Sequence, residues 1–189
     1  MIAALAGRRI QAAGTHAARF PYAQTDRVKR AIAQRLREDH VTGLICSASC
    51  GADLLALQAA CEAGVLCWIV LPYSVPVFRE RSVVDRGGGL PWGEIFDAVV
   101  GRANEHGQLI VLDLNPADPG AFQKTNTAIL DRAEAIASAA NAKVEALAVW
   151  DGKADDGIDV TSHFVDEAKA RRFPVKRIGI LTSGQSDAT

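Results

Sequence analysis

A chain of 189 residues, 49% hydrophobic and 23% charged, buries enough surface for a core that needs neither disulfide nor metal. Its net charge of −1 excludes a general electrostatic pull toward nucleic acid or an anionic membrane, so any phosphate recognition has to be local. No apolar run reaches the length of about 18 residues that a membrane span needs, and "MIAALAGRRI" carries its charges after its apolar run, unlike a secretory leader. The expected compartment is the cytoplasm, with no membrane partner and with the four cysteines reduced.

The first predicted strand, "IAALA" (2–6), leads into Gly7, Arg8 and Arg9 and then an unpatterned connection through residue 23. Connections of that length in compact domains are often functional. A helix over 24–38 and a strand over 42–47 come next, and then "SASCGADLLALQAA", where small residues precede a helix (51–63) that is apolar nearly all round. A strand at 65–71 leads through "PYSVPVFRERSV" to a helix at 76–83, and "DRGGGLP" (85–91) reads as a flexible link to a helix at 92–105. In that helix Trp92, Ile95, Phe96, Val99 and Val100 read as core rather than as a dimer contact. A strand at 108–114, a helix at 121–141, a strand at 144–150, a helix at 160–172 and a strand at 175–181 complete the series. Only the last strand alternates, as an edge strand does.

Near-continuous apolar strands alternating with helices predict a doubly wound α/β fold. Its mainly parallel sheet would have about six strands, with helices on both faces, in a Rossmann-like arrangement. One domain is expected over 1–181. The tail at 182–189 reads as a disordered end or the start of a linker, as in one module of a larger protein.

Ligands of open parallel sheets bind beyond the carboxyl ends of the strands. Gly7 and Arg8 come after the first strand, Ser47, Ser49, Gly51 and Asp53 after the second, and Arg79 and Glu80 lie beyond the third. Asn126 falls in the helix after the fourth strand, and Gly152, Gly157 and Thr161 come after the fifth. Two readings of the stretch before Gly51 compete: a packing turn that needs small side chains, or bare N–H groups and a helix dipole turned toward an anion. There is no GxGxxG, Walker A loop, GxSxG elbow or HExxH. Cys46, Cys50, Cys61 and Cys67 lack zinc-knuckle spacing, and Asp151, Asp155, Asp156 and Asp159 read as a hydrated loop, so no metal site is assigned.

In "LAGRRI", "SASCGADLLALQAA", "VLPYSVPVFRERSV", the Asn126 helix and "ALAVWDGKADDGIDVT" the chain resembles the SLOG superfamily, Rossmann-like domains named for the DprA/SMF and LOG families. The likeness spans residues 2–178 and is nearest to modules attached to bacterial signalling proteins. It implies a pocket for a nucleotide or nucleotide derivative, built from Gly7, Arg8, Ser47, Ser49, Gly51, Asp53, Arg79, Asn126, Gly152, Gly157 and Thr161, with no required cofactor. Phosphate is expected on the helix start at Gly51, with charge from Arg8 or Arg79. The resemblance also admits a homodimer. The enzymatic LOG branch carries PGGxGTxxE, whereas this chain reads "WDGKADDGIDVTSHFVDE", lacking the glycine pair. The expected function is therefore a nucleotide sensor without turnover. A nucleotide N-glycosidase using Asp53 or Glu80 is the alternative, and a ligand-free interaction module the second. The DNA-binding DprA branch does not fit the acidic charge balance.

Overall fold

The computed structural model describes residues 1–11, 19–86, 90–153 and 159–180. The strands are β1 (Ile2–Gly7), β2 (Gly43–Cys46), β3 (Leu66–Leu71), β4 (Leu109–Val111), β5 (Val144–Val149) and β6 (Val175–Ile178). The helices are α1 (Thr25–Glu38), α2 (Ala52–Glu62), α3 (Val75–Ser82), α4 (Trp92–Glu105), α5 (Ala121–Ala139) and α6 (Val160–Ala170). All six strands are parallel and stand in the order β4-β3-β2-β1-β5-β6. The fold is the doubly wound, Rossmann-like α/β arrangement that the alternation of elements predicts.

Successive side chains of a strand face opposite ways, and the core divides accordingly. Ala3, Leu5, Leu44, Cys46, Ile69 and Leu71 point toward α1–α4, whereas Ala4, Ile45, Val70, Ala146 and Ala148 point toward α5 and α6. Both faces of β1 are covered, which is why "IAALA" is apolar throughout and does not alternate. On α1, Val28, Ile32 and Leu36 recur every four residues and are buried, as one stripe of an amphipathic helix should be. The all-round apolarity of α2 has a different cause: it packs on the sheet, on α1 and on α4 at once. On α4, Trp92, Phe96 and Val100 are buried in the core, and Ile95 and Val99 pack partly buried against it.

β6 is an edge strand, as its alternation predicts, and the three-residue β4 is the other edge. From β1 the chain builds outward through β2, β3 and β4, then returns to lay β5 on the other side of β1. The strand order therefore reverses between β1 and β5. Their carboxyl ends, at Gly7 and Val149, open the crevice where doubly wound sheets bind ligands. The expected tail at 182–189 lies outside the described residues.

Candidate functional site

A cleft of about 410 Å³ occupies that crevice, within the range of small-molecule sites. Its wall takes Gly7, Arg8, Arg9 and Gln11 from the β1 end, Arg19 from the same connection, and Ser47, Ser49 and Asp53 from the β2–α2 turn. Leu5 and Ala6 of β1, Arg86, Phe122, Thr125, Asn126, Ile129, Val160 and Thr161 complete it. Seven of the expected residues (Gly7, Arg8, Ser47, Ser49, Asp53, Asn126, Thr161) thus meet in one place.

Gly7 is required by close approach. A Cβ there would run into that of Ala52, 2.7 Å from Val149 Cβ, so β1, β5 and α2 converge at this point. Beyond it, Arg8 is bound into the far side of the cleft. Its guanidinium donates at 2.6 Å to Asp159 and at 2.6 Å to the Lys153 carbonyl, and lies 6.0 Å from the centroid of the Trp150 ring. Asp159 also caps α6 by accepting from the Ser162 N–H. Arg19 makes a two-pronged pair with Asp151, both contacts at 2.8 Å. Two acids of the loop read as hydrated are therefore counterions of the cleft arginines.

Arg9 pairs with Asp85 and reaches the Cys50 sulfur at 3.5 Å, while Arg86 donates to the Ile10 carbonyl at 3.0 Å. Burial and then the neighbouring Arg9 push the Arg86 guanidinium below its ordinary range. The Asp85 carboxylate stands against both guanidinium groups, 3.8 Å from Arg86 Nε, and holds the two cations side by side in the wall. Two buried polar atoms of the wall, Arg9 Nε and Ser47 Oγ, have no hydrogen-bond partner among the described residues. A polar atom buried in that way costs free energy unless something bonds it.

Asp53 is almost fully buried, its Oδ2 accepting from the Ser49 hydroxyl at 2.5 Å and from the Ser49 N–H at 3.2 Å. Burial pushes its carboxyl up to about 6, against the smaller opposing pull of those two bonds and of Arg9. Asn126 donates to the Val160 carbonyl at 2.8 Å and so ties α5 to the start of α6. Phe122, Ile129 and Val160 add apolar surface to the cleft beside its arginines.

Four expected residues stand outside the cleft. Gly51 stands behind the wall: Ile10 N–H donates to the Cys50 carbonyl and Ala52 N–H to the Arg8 carbonyl, so backbone of the same chain covers the start of α2. A Cβ at Gly51 would sit 2.5 Å from Ile10 N, and its φ of 117° favours glycine. The packing reading of that turn prevails, and the helix start is no open anion seat. Arg79 is outside the cleft, in a two-pronged pair with Asp97 of α4 at 2.8 and 2.9 Å. Glu80 is exposed on α3, and Gly152, with φ of 82°, shapes the turn beside Arg177 without lining the cleft. Gly157 lies outside the described residues. Sequence reasoning missed Gln11, Arg19 and Arg86 as wall residues, and Arg9 stood only among its wider candidates.

Among the described residues no helix is long and apolar enough to cross a membrane, and no three metal-ligating side chains cluster. No family model matches the chain, and no curated protein does. Among solved structures, the chain is similar to the X-ray structure of TM1055, a structural-genomics target, at 16% identity and a TM-score of 0.48, covering 92% of this chain and 71% of that one.

Proposed function

We propose that this domain binds a nucleotide or nucleotide derivative in the cleft between β1 and β5 and acts as a ligand sensor in signalling, a cytoplasmic module of SLOG type. The observation that carries the reading is the convergence of Arg8, Arg9, Arg19 and Arg86 on one crevice with an apolar side at Phe122 and Ile129. Guanidinium groups match phosphate oxygens two at a time, and an apolar wall suits a base. The resemblance in "SASCGADLLALQAA" points the same way. With Gly51 covered, the arginines and the Ser47 hydroxyl take the phosphate in place of the α2 start.

A nucleotide N-glycosidase is the second reading, and Asp53 favours it. A carboxyl titrating at about 6 in a cleft wall is placed for general acid–base work. With Glu80 outside the cleft, Asp53 is the carboxylate left for that chemistry.

The test is a thermal-shift screen of mono-, di- and cyclic nucleotides, with chromatography of each mixture for released base. A sensor shows a rise of roughly 5–11 °C at a hundredfold excess over Kd, from about 2.7 kcal/mol of stabilisation, and no free base. Base release at ordinary enzyme rates selects the glycosidase. No shift with any nucleotide leaves the interaction-module reading. Sedimentation with and without the stabilising nucleotide tests the homodimer.

A further inference from the structure

At the opposite end of the sheet from the cleft, the last turn of α2 and the first residues of β3 place Cys61 and Cys67 together. Both thiols are free, and both residues are partly exposed. The two thiols stand close enough that the ionisation of each depends on the other, and the Arg102 guanidinium of α4 bears on Cys61. All three line one depression of about 270 Å³, with His106 and Gln108 on its rim. A second groove between α2 and α4 also opens onto Cys61. The tight turn 63–65 joins the helix to the strand. Its brevity keeps the two sulfurs near each other without any long-range constraint.

We propose that Cys61 and Cys67 form a redox-active dithiol that a hydroperoxide oxidises to an intramolecular disulfide, with Cys61 as the attacking thiol and Cys67 as the resolving one. The assignment of roles rests on position: Cys61 opens onto both grooves, each shared with Arg102, whereas Cys67 opens onto one. The Cys67 hydrogen bond, and then Arg102, hold the Cys61 thiol below the ordinary thiol range, against its own desolvation and the nearby Glu62. Cys67 is pushed the other way, by that same hydrogen bond, by burial and by Cys46 behind it. It therefore keeps its proton and can donate it to Cys61 or to the Val65 carbonyl, 3.4 Å away.

The Cys61 thiolate attacks the terminal oxygen of hydrogen peroxide; an S–O bond forms, the O–O bond breaks, and the departing hydroxide takes a proton to become water. Cys61 is then a sulfenic acid. The Cys67 sulfur displaces its hydroxyl, an S–S bond replaces the S–O bond, and the Cys67 proton leaves with the hydroxide as a second water. The two thiols are oxidised by two electrons and the peroxide is reduced by two. A small thiol in excess reverses the product by exchange. Dithiols of this kind in a reducing compartment are transient or redox-sensing.

Mapping the bridge is direct, because Glu62 lies between the two cysteines. Cleavage after glutamate gives fragment 39–62, with Cys46, Cys50 and Cys61, and fragment 63–80, with Cys67 alone. Reduced full-length protein is treated with a small excess of hydrogen peroxide, alkylated and cleaved. The expected result is a monomer that has lost two hydrogens, with fragments 39–62 and 63–80 joined until a thiol is added. Cys61→Ser should abolish the joining. Cys67→Ser should stop at a sulfenic acid on Cys61, trapped by dimedone, and Arg102→Gln should slow oxidation several-fold. Unjoined fragments in the wild-type protein overturn the proposal. So do joining that survives Cys61→Ser, or a first adduct on Cys50. Tandem mass spectrometry of the joined wild-type fragments, which places the bridge on Cys61 or on Cys46 or Cys50, decides the matter even if a variant fails to fold; a bridge from Cys46 or Cys50 overturns the proposal.

Discussion

Whether Asp53 is charged depends on pH, and that dependence is readable in the stability of the fold. Burial raises its carboxyl from 3.8 to about 6, and the two Ser49 bonds and Arg9 oppose this less strongly. In the unfolded chain the group releases its proton near pH ~4, in the folded chain near pH ~6. Between those values the folded state holds the extra proton, so stability falls as pH rises. Roughly two pH units at 1.36 kcal/mol each make about 3 kcal/mol, fully present below pH ~4 and lost above pH ~6. Asp53→Asn keeps an acceptor for the Ser49 N–H and hydroxyl and has no charge to bury. Urea denaturation of both proteins across about pH 4 to 8 separates this group from every other that titrates there. The stability of wild type minus that of Asp53→Asn should drop by about 3 kcal/mol across the window. Parallel profiles would refute the reasoning and would remove the acid–base reading with it.

Gly51→Ala should lower the urea midpoint. The added Cβ meets Ile10 N at 2.5 Å, and a non-glycine residue at φ 117° costs about 1–3 kcal/mol on its own; an unchanged midpoint would mean that the Arg9–Gly51 bridge is not formed. Arg86→Ala should shrink the melting rise induced by whichever nucleotide stabilises the protein, and Arg79→Ala should leave that rise intact; the reverse pattern would move the anion site to α3. Phe164→Ala removes a fully buried ring from the α5–α6 side of the sheet and should cost about 3–5 kcal/mol by denaturant titration, with a loss below about 1 kcal/mol contradicting that packing.

The fold was legible because buried parallel strands and their helices leave different periods in the sequence. The apolar runs at 2–6 and 144–150 match β1 and β5, neighbours in the interior of the sheet, where both faces are covered. The alternation over 175–181 marked an edge, and β6 is one. The other edge was not marked. β4 takes up only Leu109–Val111 of the apolar run at 108–114, and Leu112 and Leu114 instead bond back to Leu71 and Pro72 as the chain turns away. Apolarity there reflects packing beyond the strand, which a run of hydrophobic residues does not distinguish from the strand itself.

The site was legible in place and only partly in composition. Arg8 and Ser47 stand just past the carboxyl ends of β1 and β2, Asp53 and Thr161 lie in the first turns of the helices that follow β2 and β5, and all four line the cleft. The carboxyl-end rule selects such positions because it depends on topology that periodicity already implies. The stretch at Gly51 could not be decided in that way. An anion seat and a backbone bridge make the same demand for a residue without a Cβ, and only the arrival of Arg8–Ile10 over the α2 start separates them. Arg19 comes late in the unpatterned connection after β1 and Arg86 lies after a helix, so neither was singled out by a neighbouring pattern. The acids after β5 carried the missing information. Asp151 and Asp159 hold Arg19 and Arg8 at the mouth of the cleft through contacts of 2.8 and 2.6 Å. A guanidinium held in place before a ligand arrives loses less freedom on binding than one recruited from solvent. Acids that read as a hydrated loop in one dimension thus serve, in three, to orient the cations that the proposed function requires.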